Sequence, residues 1–466
     1  MLAAFIIPAL TASCGSPGTT TTSTVPLEST TSLPASPADQ ARIDRLTEKA
    51  LQFVDLLVEE RFADAHATFD DTMKSSLPVD QLEAAWTEIQ SQVGDYAQPV
   101  AVRHEADAQY VAIIVQAEFE QAPLDIRVVY DRDDLVAGLF FQPAEGLYES
   151  PSYADPAAFI ERELIVGSAP WELPATLTLP TGLEAGEGPF PAVVLVHGSG
   201  PNDRDETIGP NKPFRDLAEG LATAGVAVLR YEKRTLHYAE ELAAAEGLTV
   251  QEETVDDALA AVEALRMVPE VAPEAIFVLG HSLGGMMVPR IGVVDSGVAG
   301  FIVAAGAAQP LEDLILEQTG YLLSLEEEPT AEQLSALADL EEQVERVKDP
   351  GLSLDTPADQ LPLSIPAAYW LDLRGYDPPA LARDLGRPLL VIQGDRDYQV
   401  TELDFSLWKA AFETVPGVEF ILYPQLNHLF MAGEGPSRPT EYLRPGHVAE
   451  EVILDIARFI HDSAGR

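Results

Sequence analysis

The chain has 466 residues, 46% of them hydrophobic, and carries 28 Lys and Arg against 76 Asp and Glu, a formal charge of −48. The length calls for two domains or one large domain with appendages, and the apolar content is ample for sizeable cores. So acidic a surface repels phosphate, which argues against a nucleic-acid partner and against anionic lipid head groups; solubility is reason enough for the charge.

Residues 1–13 are mostly apolar but too short to span a bilayer, which takes roughly 20 apolar residues as a helix. They end in Leu-Thr-Ala-Ser-Cys (10–14). The segment resembles a bacterial lipoprotein signal, in which small residues admit the signal peptidase and the cysteine becomes the lipidated first residue. The resemblance makes Cys14 the lipidation site and implies an extracytoplasmic protein, anchored in the cell envelope or secreted. It departs from the pattern in having no Lys or Arg ahead of the apolar run. Cys14 is the only cysteine, so no intramolecular disulfide can form. Residues 15–38 are rich in Thr, Ser and Pro without hydrophobic period, and a disordered tether is expected there.

Helical periodicity follows. Leu46, Ala50, Phe53, Val54 and Leu57 recur at spacings of three and four, and 62–73 and 79–93 read as shorter helices, the latter with Leu82, Trp86 and Ile89. Three or four strand-like runs follow, notably at 110–119, 126–130 and 135–141. Helices followed by a meander predict a small α+β domain over 39–145. Phe53, Phe69, Met73, Leu77 and Trp86, with Val-Gly-Asp-Tyr (93–96), resemble the NTF2-like cone domain of the DUF3887 type found ahead of some exported hydrolases. It holds no evident acid/base pair, so a spacer or partner-docking role is expected.

In the second half, Phe-Pro-Ala-Val-Val-Leu-Val (190–196) predicts a buried strand that breaks into the turn His-Gly-Ser-Gly-Pro (197–201). A strand at 226–231 runs into Arg-Tyr-Glu-Lys-Arg-Thr (230–235), and Asp-Arg-Asp-Glu (203–206) places opposite charges on a neighbouring loop. Ion pairs bracing those loops are the plain reading; a substrate-carboxylate clamp through Arg234 is the alternative. Ala-Ile-Phe-Val-Leu-Gly-His-Ser-Leu-Gly-Gly (275–285) is an apolar strand that ends in Gly-x-Ser-x-Gly and passes at once into a helical pattern. So sharp a turn forces strained dihedrals and crowds its neighbours, hence glycine at 280 and 284, and it presents Ser282 as a nucleophile. The helix N-terminus supplies donors where an oxyanion would form: Leu283 N–H first, and Ser199 N–H from the Gly-rich turn second.

Between a strand at 298–304 and the next at 388 lie some 80 residues, more than a crossover needs, and 311–360 are helical in period and densely acidic. Pro-Leu-Leu-Val-Ile-Gln-Gly-Asp-Arg-Asp-Tyr-Gln-Val (388–400) is a buried strand ending in an acidic turn; 418–430 holds a strand followed by His428, and 446–461 is an amphipathic helix.

The chain order Ser, Asp, His at strand ends resembles the α/β-hydrolase superfamily over about 163–457. More narrowly, 197–205, 230–235, 280–285, Tyr-Trp-Leu-Asp-Leu (369–373) and Leu-Asn-His-Leu-Phe (426–430) look like exported bacterial esterases of the dienelactone-hydrolase-like and serine-aminopeptidase-like type. The resemblance implies a mostly parallel, doubly wound α/β sheet over 160–466, with a helical cap inserted at about 308–380. It makes Ser282 the nucleophile, His428 the general base and then acid, and Asp397 the carboxylate that orients the imidazole. Asp395 is a rival two residues away, but the family pattern Gly-x-x-Asp-x-x-Val fits Gly394, Asp397 and Val400. His447 and His461 also follow the acid, in the last amphipathic segment; His197 and His281 flank the site as loop-shaping residues. Leu316, Tyr321, Leu322, Leu363, Tyr369 and Trp370 either line an acyl pocket under the cap or belong to the core. A cap with a negative outer face would disfavour anionic acyl groups.

The expected activity is cleavage of a small-molecule carboxylic ester, short in its acyl part, through an acyl-enzyme. No Cys pair, His-Glu-x-x-His, dense carboxylate loop or phosphate-binding glycine motif is present, so neither metal nor cofactor is expected. Two alternatives stay open. A peptidase on the same fold would need an amine-binding carboxylate near the pocket. A binding lipoprotein with a vestigial hydrolase domain is disfavoured by the intact Ser, Asp and His. Oligomeric state is not legible.

Overall fold

The computed structural model describes residues 37–464 apart from 107–108, 145–147, 182–188, 244–246 and 327. Cys14, the signal-like segment and the tether up to residue 36 lie outside the described residues. The chain divides into two compact units: Tyr148–Glu441 with Gly446–Arg466, and the N-terminal region to Leu147 with Tyr442–Pro445.

In the N-terminal unit, helices Pro37–Val58, Phe62–Ala67, Asp71–Ser76 and Val79–Val93 precede an antiparallel meander of β1 (Tyr96–Ala106), β2 (Val111–Phe119), β3 (Leu124–Tyr130) and β4 (Val136–Pro143). The three- and four-residue spacing of the first helix turns Leu46, Ala50, Phe53, Val54 and Leu57 to one core with Trp86, Ile113, Val115, Ile126 and Val128. The helix expected over 62–73 is two helices. Asp70 is extended and accepts from Met73 N at 2.6 Å, so its side chain caps a new helix instead of continuing the old one. Strand β1 escapes the sequence reading because it is exposed along most of its length and its pairing with β2 is interrupted on both sides of Gln98–Pro99. With no buried face it has no apolar alternation to read.

The larger unit carries an eight-stranded sheet of β5 (Phe159–Ser168), β6 (Trp171–Pro180), β7 (Phe190–Val196), β8 (Ala227–Tyr231), β9 (Val271–His281), β10 (Gly300–Ala304), β11 (Leu389–Gly394) and β12 (Val418–Tyr423). Its order is β12-β11-β10-β9-β7-β8-β6-β5. The six strands from β12 to β8 are parallel; β6 runs antiparallel to β8, and β5 antiparallel to β6. Alternation along β7 sends Ala192, Val194 and Val196 to one core and Val193 and Leu195 to the other. Helices Pro213–Thr223 and Glu450–Ala464 cover the second of these faces, while Asp256–Arg266, Leu283–Val294, Pro378–Leu385 and Glu402–Ala411 cover the first. This is the doubly wound, mostly parallel sheet that the sequence predicts, with an antiparallel hairpin added at one edge.

Between β10 and β11 the long insertion folds into helices Leu311–Ser324, Ala331–Lys348 and Ala367–Leu373 ahead of Pro378–Leu385. The second begins at a capping box in which Thr330 accepts from Gln333 N and Gln333 in turn accepts from Thr330 N. Of the six residues left between acyl pocket and core, Trp370 is 1% exposed and Tyr369 6%. The Trp370 indole donates to Ile365 O at 3.1 Å, so these two belong to the core. Tyr321 stacks on Tyr398 with ring centres 5.1 Å apart. Among the described residues no helix is long and apolar enough to cross a membrane.

Candidate active site

Strand β9 ends at His281 and the following helix starts at Leu283, which leaves Ser282 to make the whole turn at φ 54°, ψ −118°. L-residues rarely adopt such angles, and the surroundings hold this one in place. Ser282 N donates to Ala304 O at 2.9 Å, and Met286 N donates to Ser282 O at 3.0 Å. The two glycines are required by space. A Cβ at Gly280 would lie 2.2 Å from Gly284 O, and one at Gly284 would lie 2.2 Å from Val196 O at the end of β7. Ser282 occupies the N-cap position yet does not cap the helix with its side chain, so its oxygen is kept for another use.

The turn after β11 builds the second element. Asp397 Oδ1 accepts from Gln399 N at 2.8 Å and Val400 N at 3.0 Å; Oδ2 accepts from Gln393 Nε2 at 2.8 Å and lies 2.7 Å from His428 Nδ1. Asp397 and His428 are both buried. Among the described residues every other partner of the carboxylate is a donor, so it accepts from the imidazole too and places that ring's proton on Nδ1. His428 Nε2 is thereby the basic nitrogen. Asn427 shapes the loop carrying the histidine, its Oδ1 accepting from Leu429 N and Met431 N. The rivals stand elsewhere. Asp395 accepts from Gln425 N, His447 pairs with Asp216, and His461 meets Ala224 O. Ser282 Oγ makes no hydrogen bond among the described residues; in unliganded enzymes the serine–histidine contact commonly tightens only on substrate binding.

The His-Gly turn closes the site against Ser282: a Cβ on Gly198 would lie 3.2 Å from Ser282 Cβ and 3.7 Å from its Oγ. Gly198 N donates to the buried Glu206 at 2.6 Å, while Lys233 Nζ donates to Gly198 O at 2.7 Å. The Ser199 and Leu283 amides have no acceptor in the protein among the described residues. An amide left without a partner beside a helix N-terminus is poised for an anion.

Glu206 also lies 2.9 Å from Nδ1 of His281, whose Nε2 reaches His428 O at 2.9 Å. Burial works against a charge on His281, but Glu206, together with His428 O and the Asp397 charge, outweighs it and raises the histidine pKa. Burial likewise opposes the Glu206 charge, and His281, His197 and the Gly198 amide together lower its pKa. At His197 burial, with the Lys233 charge, outweighs the pull of Glu206 and carries the pKa down to about 4; it is a loop-shaping residue in contact with Asp203 O. His281 does more than shape its own loop, because it ties the turn at Glu206 to the base loop. Neither Glu206 nor Lys233 was singled out in the sequence, though both stand in quoted motifs. The Arg234 clamp fails: its guanidinium is buried in a two-pronged pair with Asp257, which leaves the plain reading of loop bracing. Arg204 does the same with Glu232 and Glu163. No group of His, Cys, Asp or Glu suited to a metal occurs among the described residues.

A serine on a strand-to-helix elbow, with a histidine–carboxylate pair after later strands of a doubly wound parallel sheet, defines the α/β-hydrolase class of proteins. The profile described as alpha/beta hydrolase family matches residues 193–444, and the chain belongs to that family. A family described as protein of unknown function (DUF3887) matches residues 50–139. Esterase EstD of Thermotoga maritima is 39% identical over 414 residues, 89% of this chain and 95% of that protein. Among solved structures, Est1E from Butyrivibrio proteoclasticus shares 15% identity at a TM-score of 0.41, over 65% of this chain and 99% of that one. A puromycin-hydrolyzing peptidase of Mycobacterium tuberculosis shares 16% at 0.43, over 80% of this chain and 48% of that one.

Proposed function

We propose that the protein is a serine carboxylic ester hydrolase acting on short-chain acyl esters through an acyl-enzyme. The observation that carries this reading is the buried Asp397–His428 pair, 2.7 Å apart and set with Nε2 as the base, beside the strained elbow at Ser282. The kinship with Esterase EstD favours an ester over an amide. Ser282 Oγ attacks the ester carbonyl as His428 Nε2 takes its proton; the carbonyl oxygen, now negative, accepts from Ser199 N–H and Leu283 N–H. The C–O bond breaks, and His428 returns the proton to the departing alcohol. Water, activated by the same histidine, then attacks the acyl-serine, releases the acid and restores Ser282. Asp397 holds the tautomer and stabilises the imidazolium in both halves. The helices of the insertion serve as the cap.

The test is a series of p-nitrophenyl esters of increasing acyl length beside one amino-acyl p-nitroanilide, with fluorophosphonate labelling of the active serine. Fastest turnover on acetate and butyrate is expected. Preference for the anilide would move the protein to the peptidases; no labelling and no turnover by folded protein would overturn the catalytic reading.

We further infer that Cys14 bears a lipid and that residues 15–36, which end where the first helix begins at Pro37, tether the enzyme to the cell envelope. The support is the Leu-Thr-Ala-Ser-Cys pattern and the composition after it. A palmitate analogue fed to envelope-producing cells should label the wild-type chain and spare Cys14→Ser; equal labelling of both would refute the anchor.

A further inference from the structure

Lys233 is a buried cation that the proposed chemistry leaves unused. Its side chain is 2% exposed, and its ammonium is shared between Gly198 O at 2.7 Å and Glu253 at 2.6 Å. Glu253 lies in the π-helical turn Gln251–Val255, and its other oxygen accepts from the Tyr369 hydroxyl at 2.8 Å. Burial, with the Glu253 charge beside it, pushes the Tyr369 phenol pKa up, so it stays a donor. Tyr369 belongs to the helix Ala367–Leu373 of the insertion. An unbroken buried chain thus runs from that helix through Tyr369, Glu253 and Lys233 to the carbonyl of Gly198.

The target of this chain is the peptide that joins Gly198 to Ser199. In a trans peptide the C=O and the following N–H point in opposite directions, so a group that fixes Gly198 O also aims Ser199 N–H the other way. We propose that Lys233 is a positioning residue for the oxyanion site: it sets and polarises the Ser199 amide through Gly198 O, with Glu253 and Tyr369 holding the ammonium in place from the insertion. The proposal rests on the reading of Ser199 as an oxyanion donor.

Three further features support it. Gly198 N is held by Glu206 at 2.6 Å, so this residue is held at both its N–H and its C=O by buried charged groups. The rest of the turn is docked on the Lys233 segment, with Lys233 N donating to Asn202 O and the Thr235 hydroxyl to Gly200 O. Asn202 Nδ2 also reaches Gly198 O, but at 3.2 Å and without charge, so it supports the ammonium and does not replace it. A positive charge on the carbonyl draws density from the peptide and makes its N–H a stronger donor in a site of low dielectric.

Replacing Lys233 alone would strand the Glu253 charge, so the test uses Lys233→Met/Glu253→Gln, which removes both charges and keeps an acceptor for Tyr369. Kinetics on p-nitrophenyl acetate are normalised to serine sites titrated to completion, and affinity is measured for a trifluoromethyl ketone, which forms a tetrahedral oxyanion with Ser282. A fall in kcat of about 30-fold or more is expected, approaching the cost of losing an oxyanion donor outright, with a matching loss of ketone affinity. KM should stay within about threefold, because the amide acts on the oxyanion and not on the bound ester. A merely structural role would lower the number of titrated sites and leave normalised kcat and ketone affinity near wild type, which would overturn the proposal. Should the double variant fail to fold, Tyr369→Phe decides on the same two readouts. It is expected to lose about three- to tenfold in both, the worth of one hydrogen bond, and wild-type values would overturn the proposal. Ser282→Ala is assayed in parallel: retained turnover there would topple the catalytic reading itself, whereas a dead Ser282→Ala beside an unaffected double variant would topple only the role of Lys233.

Discussion

Replacing Ser282 with alanine is expected to lower turnover of p-nitrophenyl acetate by about 10⁵-fold or more, with no loss of fold. The site loses its attacking oxygen and nothing structural with it, since that oxygen caps no helix and has no partner among the described residues. The backbone makes a second, separable expectation. At φ 54°, ψ −118° an alanine is as strained as the serine, whereas glycine adopts such angles freely. Ser282→Gly should therefore be as inactive as Ser282→Ala but more stable than it by about 1 kcal/mol, the lower range for a residue held in a sparse region of the backbone map. Urea titration of the two variants, with turnover measured beside it, checks both statements. Substantial turnover in folded Ser282→Ala would end the assignment, and equal midpoints would mean that the elbow stores no strain.

Asp397→Asn should cost about 10⁴-fold in kcat while leaving KM nearly unchanged. The geometry gives the reason. Two backbone amides point at Oδ1, so an asparagine must turn its oxygen to them and its NH2 toward Gln393 and His428 Nδ1. The histidine then accepts at Nδ1 and carries its proton on Nε2, where it can no longer act as a base. Gln393 cannot readily flip to relieve the clash of donors, because its amide also donates to Val400 O at 2.9 Å. Asp395→Asn, which touches only the turn at Gln425, should stay within about threefold of wild type, as surface substitutions do. Initial rates of both variants over a range of substrate concentrations decide it; a larger loss in Asp395→Asn than in Asp397→Asn would reverse the assignment.

The fold was legible where one face of an element is buried and local chemistry is compulsory. The three- and four-residue spacing of Leu46, Ala50, Phe53, Val54 and Leu57 marks a helix, and it is one. Gly280, Ser282 and Gly284 mark an elbow because no side chain fits at the flanking positions. Strand β1 was not legible, having almost no buried residue, and a helix expected through Asp70 broke there because a single side-chain cap outweighed a continuous apolar pattern. At the candidate site, the residues proposed to carry out the chemistry, Ser282, Asp397 and His428, stand in short motifs. Those that hold them in place were not legible. Glu206 acts on His281 and Gly198, Lys233 on Gly198 and Glu253, and Glu253 on Tyr369, pairs separated by 8 to 116 residues. No local spacing encodes such pairs. The motifs of Glu206 and Lys233 showed only opposite charges on loops, Glu253 stood in no motif, and burial, which turns an exposed ion pair into a positioning device, belongs to the folded chain.

The irregular β1 of the N-terminal unit has its own consequence. It forms one border of its sheet, where a straight, regular strand would offer a free ladder of amides and carbonyls to any extended chain nearby. Pro99 removes one amide, and the interruptions on either side of Gln98–Pro99 bend the border out of register. What makes β1 hard to read also makes it a poor template for aggregation, and that protection matters most if many copies are crowded side by side.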